Sequence, residues 1–362
     1  MNNVSMSNVP MNNVPMNNVA IDELRIPKTL DGPDGSTFSE MAHLANDVEA
    51  ALLGNYDLAY EPTEMLPIYH NEYEPKKVFV ARIDGRMVGR AVHELQSGDD
   101  LRSAWLNVEV LPELRRRGIG AALYETVAAI ANADKRAVLQ GFAHHGTAAG
   151  ERIDSPTGYG SVPVDDDASR FAVARGYKLV QVDRMSRLPL PVSLLSVDPP
   201  AGYDLEFWVG PAPENRLADL AVMQARMSTD PPLGEVDYQP EEWDEDRVRD
   251  LDARRAAEGR QYLTTAVRHV ASDTLVGFTE LNVAAETHRP VFNHNTLVIS
   301  EHRGHRLGML IKLANLRLLA KTAPGHPAIY TWNAEENRDM LDVNEELGFV
   351  PVGYEGSWKK VL

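Results

Sequence analysis

One stretch of this chain occurs twice. Residues 105–120 read WLNVEVLPELRRRGIG and run on into AALYETVAAIANA, while residues 293–308 read NHNTLVISEHRGHRLG and run on into MLIKLANLRLLAK. Each copy is a β-prone stretch, then a basic loop containing glycine, then apolar residues at helical spacing. These are Ile119, Ala122, Leu123, Val127 and Ile130 in the first, and Leu310, Leu313, Leu316, Leu319 and Ala320 in the second. A strand–loop–helix unit repeated within 362 residues predicts two α/β domains in tandem.

The surroundings repeat as well. VFVARIDGRMVGRAVHEL predicts a hairpin turning at Asp84-Gly85, and QYLTTAVRHVASDTLVGFTELNV predicts another turning at Ala271-Ser272-Asp273. Helices are expected over 38–53 and 217–227, with the proline-rich LPLPVSLLSVDPPAG as linker. The expected division is a disordered repetitive tail at 1–20, a first domain at 21–196 and a second at 197–362. The tail rests on MNNVSMSNVPMNNVPMNNVA, which has neither the basic flank nor the apolar core of a signal peptide. With no apolar run long enough to span a bilayer, the expectation is a cytoplasmic protein that does not engage membranes.

Composition removes several chemistries. There is no cysteine, so a thiol nucleophile, a redox pair and thiolate zinc sites are excluded. The 36 Lys+Arg against 53 Asp+Glu give a formal charge of −17, which repels a phosphate backbone and argues against nucleic acid as a partner. His144-His145 is an unpromising metal site, because neighbouring residues of an extended chain point apart; no metal is expected.

A loop of small residues opening a helix aims free N–H groups and the positive end of the helix dipole at one spot, where anions bind. The loop Arg115-Arg116-Arg117-Gly118-Ile119-Gly120 resembles the pyrophosphate loop of the GNAT superfamily of acyltransferases, Gln/Arg-x-x-Gly-x-Gly/Ala. Arg303-Gly304-His305-Arg306-Leu307-Gly308 is similar but places Arg306 where the first glycine belongs. The resemblance extends over about residues 21–362 as two copies, like the two-domain architecture of mycothiol synthases. It implies an α/β fold of the α+β type, built from two tandem GNAT folds, each a mixed, mostly antiparallel sheet flanked by helices.

It also implies acetyl-CoA, or a related acyl-CoA, as cosubstrate. Both loops would hold its pyrophosphate, and Val108, Val110, Thr296 and Val298 would line the strands beside the thioester. Asn333 and the helix-opening Asn337 would meet the pantetheine arm. Asn344 stands where the family often has a tyrosine acting as acid; in the first half Asp165 and Ala172 hold the asparagine and tyrosine positions. An amide cannot donate a proton as a phenol does.

For the base, the strand parity offers His294, with Glu280 on the preceding hairpin as rival. A strand bulge would turn His294 away and bring Asn295 or Glu109 inward. The implied reaction is N-acyl, most simply N-acetyl, transfer to a primary amine of a small molecule by direct attack in a ternary complex, by a monomer or homodimer. The alternative is a non-catalytic acyl-CoA-binding or sensing protein. Which half acts stays open: the first has the better loop, the second the better pantetheine helix and polar strand. The acidic run Glu241–Asp246 suits either a polyamine-like acceptor or a helix start leading into Arg247. An insertion over 144–163 is expected to be an irregular surface segment.

Overall fold

The computed structural model describes residues 19–96, 102–146, 149–193 and 198–362. The first half runs β1 (Val19–Leu24), α1 (Gly35–Leu53), α2 (Pro62–Tyr69), β2 (Lys76–Ile83), β3 (Arg86–Glu94), β4 (Ser103–Val110), α3 (Ile119–Ala133), β5 (Val138–His145), a small hairpin of β6 (Arg152–Asp154) and β7 (Ser161–Pro163), α4 (Asp167–Val173) and β8 (Lys178–Pro189). The second runs β9 (Tyr203–Val209), α5 (Leu217–Met227), α6 (Glu245–Ala257), β10 (Gln261–His269), β11 (Thr274–Val283), β12 (Val291–Val298), α7 (Leu307–Thr322), β13 (Ala328–Ala334), α8 (Arg338–Leu347) and β14 (Val350–Val361). Both hairpins, both opening helices and both strand–loop–helix units form where the alternating and helical patterns place them.

All the main strands join one twelve-stranded sheet, in the order β1-β2-β3-β4-β5-β14-β8-β13-β12-β11-β10-β9. Its neighbours pair antiparallel except β4 with β5 and β12 with β13. The centre is an exchange. The last strand of the second half, β14, lies between β5 and β8 of the first, and the last strand of the first, β8, pairs with β13 of the second. Each core is therefore sealed by the other half: Trp358 of β14 sits in the first core, and Leu188 of β8 in the second. Burying such a side chain contributes about 1.5–3 kcal/mol.

The exchange qualifies the linear division expected from sequence, because neither half completes its sheet alone. Residues 194–197, around the expected boundary, lie outside the described residues, as do residues 1–18 of the expected tail; Val19 and Ala20 already belong to β1. The insertion is more ordered than expected. His144 and His145 finish β5, and the β6–β7 hairpin follows, with Val162 buried in the first core.

Helices cover both faces. His144 of β5 meets Glu49 on α1, and its neighbour His145 meets Asp166, the residue capping α4. So α1 and α4 lie on opposite faces, as strand alternation requires. On the α1 face the two halves also touch: Tyr73, just beyond α2, donates to Asp250 of α6 at 3.1 Å, and Glu64 of α2 pairs with Arg260 and Arg289.

Candidate functional site

The two loops share one backbone path. After β4, a 3-10 turn at Pro112–Leu114 leads to left-handed corners at Arg116 (φ 62°) and Gly118 (φ 84°). After β12, a 3-10 turn at Ser300–His302 leads to left-handed corners at Gly304 (φ 84°) and Arg306 (φ 56°). Glycine relieves the second corner in one copy and the first corner in the other, so Arg306 alters a side chain and leaves the loop path unchanged. Neither α3 nor α7 has a side-chain cap, so the first-turn N–H groups have no acceptor from such a cap or from the helix itself. Arg115 and Arg303 brace their loops alike, donating to the carbonyls of Val110 (3.1 Å) and Val298 (3.0 Å). Arg117 donates to Glu113 O, His305 packs on the Tyr203 ring, and Arg306 pairs with Glu346 of α8 at 2.5 Å.

The strands before the loops differ. From Trp105 to Val110, each residue of β4 faces one residue of β3. On β12, Asn293 faces Leu281 and Thr296 faces Thr279, which leaves His294 and Asn295 together opposite Glu280. This is a bulge, and it sends both side chains toward α5 and α6. His294 stacks edge-on against Tyr262 of β10 at 5.8 Å, and Asn295 donates to Gln224 of α5 at 3.2 Å. His294 is thus not turned away, contrary to what a bulge was expected to do, because the bulge rotates one residue without expelling its neighbour.

Electrostatics set what these groups do. His294 is accessible, yet loss of hydration in its cleft, with repulsion from Arg255 and Arg260, pushes its pKa down to about 3. A ring so biased is neutral at pH 7 and a poor proton acceptor. Glu280 is buried and gripped by both terminal nitrogens of Arg255, at 2.7 and 2.9 Å, so it is committed to an ion pair. Glu109 is likewise held by Arg90. Asn344 is buried; its Nδ2 donates to Asn333 Oδ1 at 2.7 Å, while its own Oδ1 has no partner. Asn337 caps α8. Thr296 bonds Thr279 at 2.8 Å.

Beside the helix starts, one half is filled and the other open. Tyr124, the sixth residue of α3, meets Phe171 and Tyr177 edge-on, and the Arg175 guanidinium lies 3.6 Å over Phe171. A Cβ on Gly120 would come within 3.3 Å of Phe171. In the second half Lys312 is the sixth residue of α7, Asn344 stands at the Ala172 position, and a Cβ on Gly308 would meet nothing within 4 Å. Val110, 3.6 Å from the Cβ placed on Gly120, therefore adjoins a plugged helix start, whereas the start of α7 at Gly308 has free space beside it.

Sequence reasoning missed one group of residues, brought together only by the exchanged strands. Asp183 of β8 lies directly opposite Glu355 of β14, and Glu355 opposite His144 of β5. His144 bridges Glu49 (2.8 Å) and Glu355 (3.1 Å); burial opposes its charge, but the two carboxylates prevail and raise it to about 10. On the other side Asp183 faces Ala334, which offers no charge. Burial, with Glu355, Glu336 and Glu335 nearby, pushes Asp183 up to about 8. Trp332, half-buried, stacks near both His144 and Phe292 on this face. The acidic run at 241–246 is spent internally: Asp244 caps α6, and Glu241 pairs with Arg247, whose guanidinium lies 4.0 Å over Trp243.

Residues 45–149 match the Acetyltransferase (GNAT) family. Among solved structures, a tandem GNAT protein from the clavulanic acid biosynthesis pathway shares 24% identity over 94% of this chain and 98% of its own, with a TM-score of 0.72. This chain carries a GNAT domain within a tandem GNAT fold. A GCN5-related N-acetyltransferase from Sphaerobacter thermophilus aligns over 96% of this chain and 97% of its own, at 14% identity and a TM-score of 0.64. Saccharomyces cerevisiae N-myristoyltransferase with bound myristoyl-CoA aligns over 98% and 80%, at 12% identity and 0.54. Curated proteins include no significant sequence match. Among the described residues, no helix is long and apolar enough to cross a membrane.

Proposed function

We propose that the second half transfers an acyl group, acetyl in the simplest case, from an acyl-CoA to a primary amine of a small molecule by direct attack in a ternary complex. The observation carrying this reading is the β12 bulge beside the open start of α7, a combination the first half does not have. The family match and the fold shared with a transferase holding myristoyl-CoA support a CoA thioester as donor. In this reading the loop from Arg303 to Gly308 holds the pyrophosphate, Thr296 and Val298 flank the thioester, and Asn333, Asn337 and Asn344 meet the pantetheine arm. The chain has no cysteine for a thioester intermediate, and direct attack needs none.

The attacking ammonium must shed a proton. Asp183, half-buried, raised to about 8 and without an ion-pair partner among the described residues, is the better matched acceptor, with His294 as a neutral hydrogen-bonding wall. The absence of a phenol at either tyrosine position favours a second reading, acyl-CoA sensing without turnover. Mixing the protein with acetyl-CoA and a panel of amines while following free thiol decides between them. Thiol release with at least one amine is expected; thermal stabilisation by CoA with no release for any amine would establish the sensor.

A further inference from the structure

Lys312 is a buried amine for which the proposed chemistry has no direct use. It is 4% exposed, and its Nζ donates to Asn293 Oδ1 at 2.5 Å. No carboxylate accompanies it. Around it are Thr279, Asn315, Leu281 and Phe349, whose ring centre is 5.6 Å away, and a cavity of about 10 Å³ with room for about one water. Burial alone pushes its pKa down to about 7. Placing an amine there is costly, and methionine would fill the same space without that penalty. The first half has a tyrosine at this helix position and a regular strand above it.

What Lys312 holds is the carboxamide of Asn293. With Oδ1 engaged by the amine, Nδ2 points to the strands and donates to Glu280 O at 2.9 Å and Thr279 Oγ1 at 3.2 Å. Glu280 is the residue that faces both members of the bulge, where the extra residue disrupts the ladder. Asn293 supplies a side-chain bond to the carbonyl at that break, and Lys312 fixes which end of the amide supplies it.

We propose that Lys312 and Asn293 act as a positioning pair that pins the β12 bulge, keeping a backbone N–H of the His294–Asn295 step free for the acyl carbonyl of the donor. This rests on the second half being the donor site. The probes are acetyl-CoA and CoA, titrated by calorimetry into the full chain. Pyrophosphate contacts are common to both ligands, whereas the carbonyl belongs to acetyl-CoA alone. The expected result is a several-fold preference of the wild type for acetyl-CoA, reduced to parity in Lys312→Met and in Asn293→Asp, with CoA affinity within about twofold. Lys312→Met should keep or raise the melting temperature, which a merely structural lysine would not do. Asn293→Asp retains a partner for the amine but loses the Nδ2 donor, so it tests the bulge even where the methionine variant folds poorly. A preference that survives both changes, or that the wild type lacks, overturns the proposal. Failure of CoA itself to bind would overturn the donor-site reading instead.

Discussion

The two halves of this chain divide what one GNAT domain is expected to combine. The first half keeps the glycines and arginines of the loop pattern and contains the matched family segment. Its strand is unbulged, and its slot is packed with Tyr124, Phe171 and Arg175. The second half has moved a glycine and lies outside that segment, yet keeps the loop path, gains the bulge and leaves the slot open. A loop motif records backbone conformation; the capacity to hold a thioester depends on strand register and on what fills the neighbouring space.

The sharpest way to break this contrast is to block each slot in turn. Gly308→Phe should abolish acetyl-CoA-dependent thiol release, lowering it by on the order of 100-fold or more, since a ring at the second residue of α7 would occupy the space that a bound pyrophosphate needs. The same change at Gly120, already within reach of Phe171, should leave the rate within about twofold. If only the first-half variant loses activity, the assignment of roles is inverted.

A comparable effect is expected from Asp183→Asn. Removing a positioned proton acceptor lowers turnover by about 10²-fold or more, while acetyl-CoA affinity, measured separately, should not change. Retention of full turnover would return the search for a base to His294.

Opening the first slot sharpens the comparison from the other side. Phe171→Ala with Arg175→Ala removes the plug beside Gly120. Calorimetric stoichiometry is then expected to rise above that of the wild type, toward about two CoA per chain, because the loop path in the first half is already suited to an anion. An unchanged stoichiometry would show that the regular β4 ladder, rather than the plug, excludes the ligand.

Much of this was legible in the sequence because the signals were local. Strand alternation, the two hairpin turns and the apolar spacing of α3 and α7 each lie within a few residues, and the repeat confirmed them. The bulge was not legible: it is a difference in register between β11 and β12, and no residue in NHNT announces it. Nor was the commitment of Glu280, whose partner Arg255 comes from a separate helix. The pairing of Asp183 with Glu355 was hidden most deeply, since it exists only because each half lends its last strand to the other.

That seam yields the mildest prediction, a dependence of stability on pH. His144 has a folded pKa of about 10 against an ordinary 6.5, so its stabilisation is complete below pH 6.5 and fades as pH rises through 10. Asp183 is also raised, to about 8 from 3.8, so the folded form again binds the extra proton, and stability falls as pH climbs from about 4 through 8. The two slopes have the same sign and overlap between pH 6.5 and 8. The wild type should therefore lose on the order of 2 kcal/mol between pH 6 and pH 9, after allowance for partial exposure to water. Asp183→Asn should flatten the lower part of this profile and His144→Gln the upper part, each read from denaturant midpoints at matched ionic strength. Since Glu355 touches both groups, the double variant should fall short of the sum of the single changes. Strict additivity would mean that the exchanged strands carry two independent sites, and the seam would then be a packing feature without a shared charge.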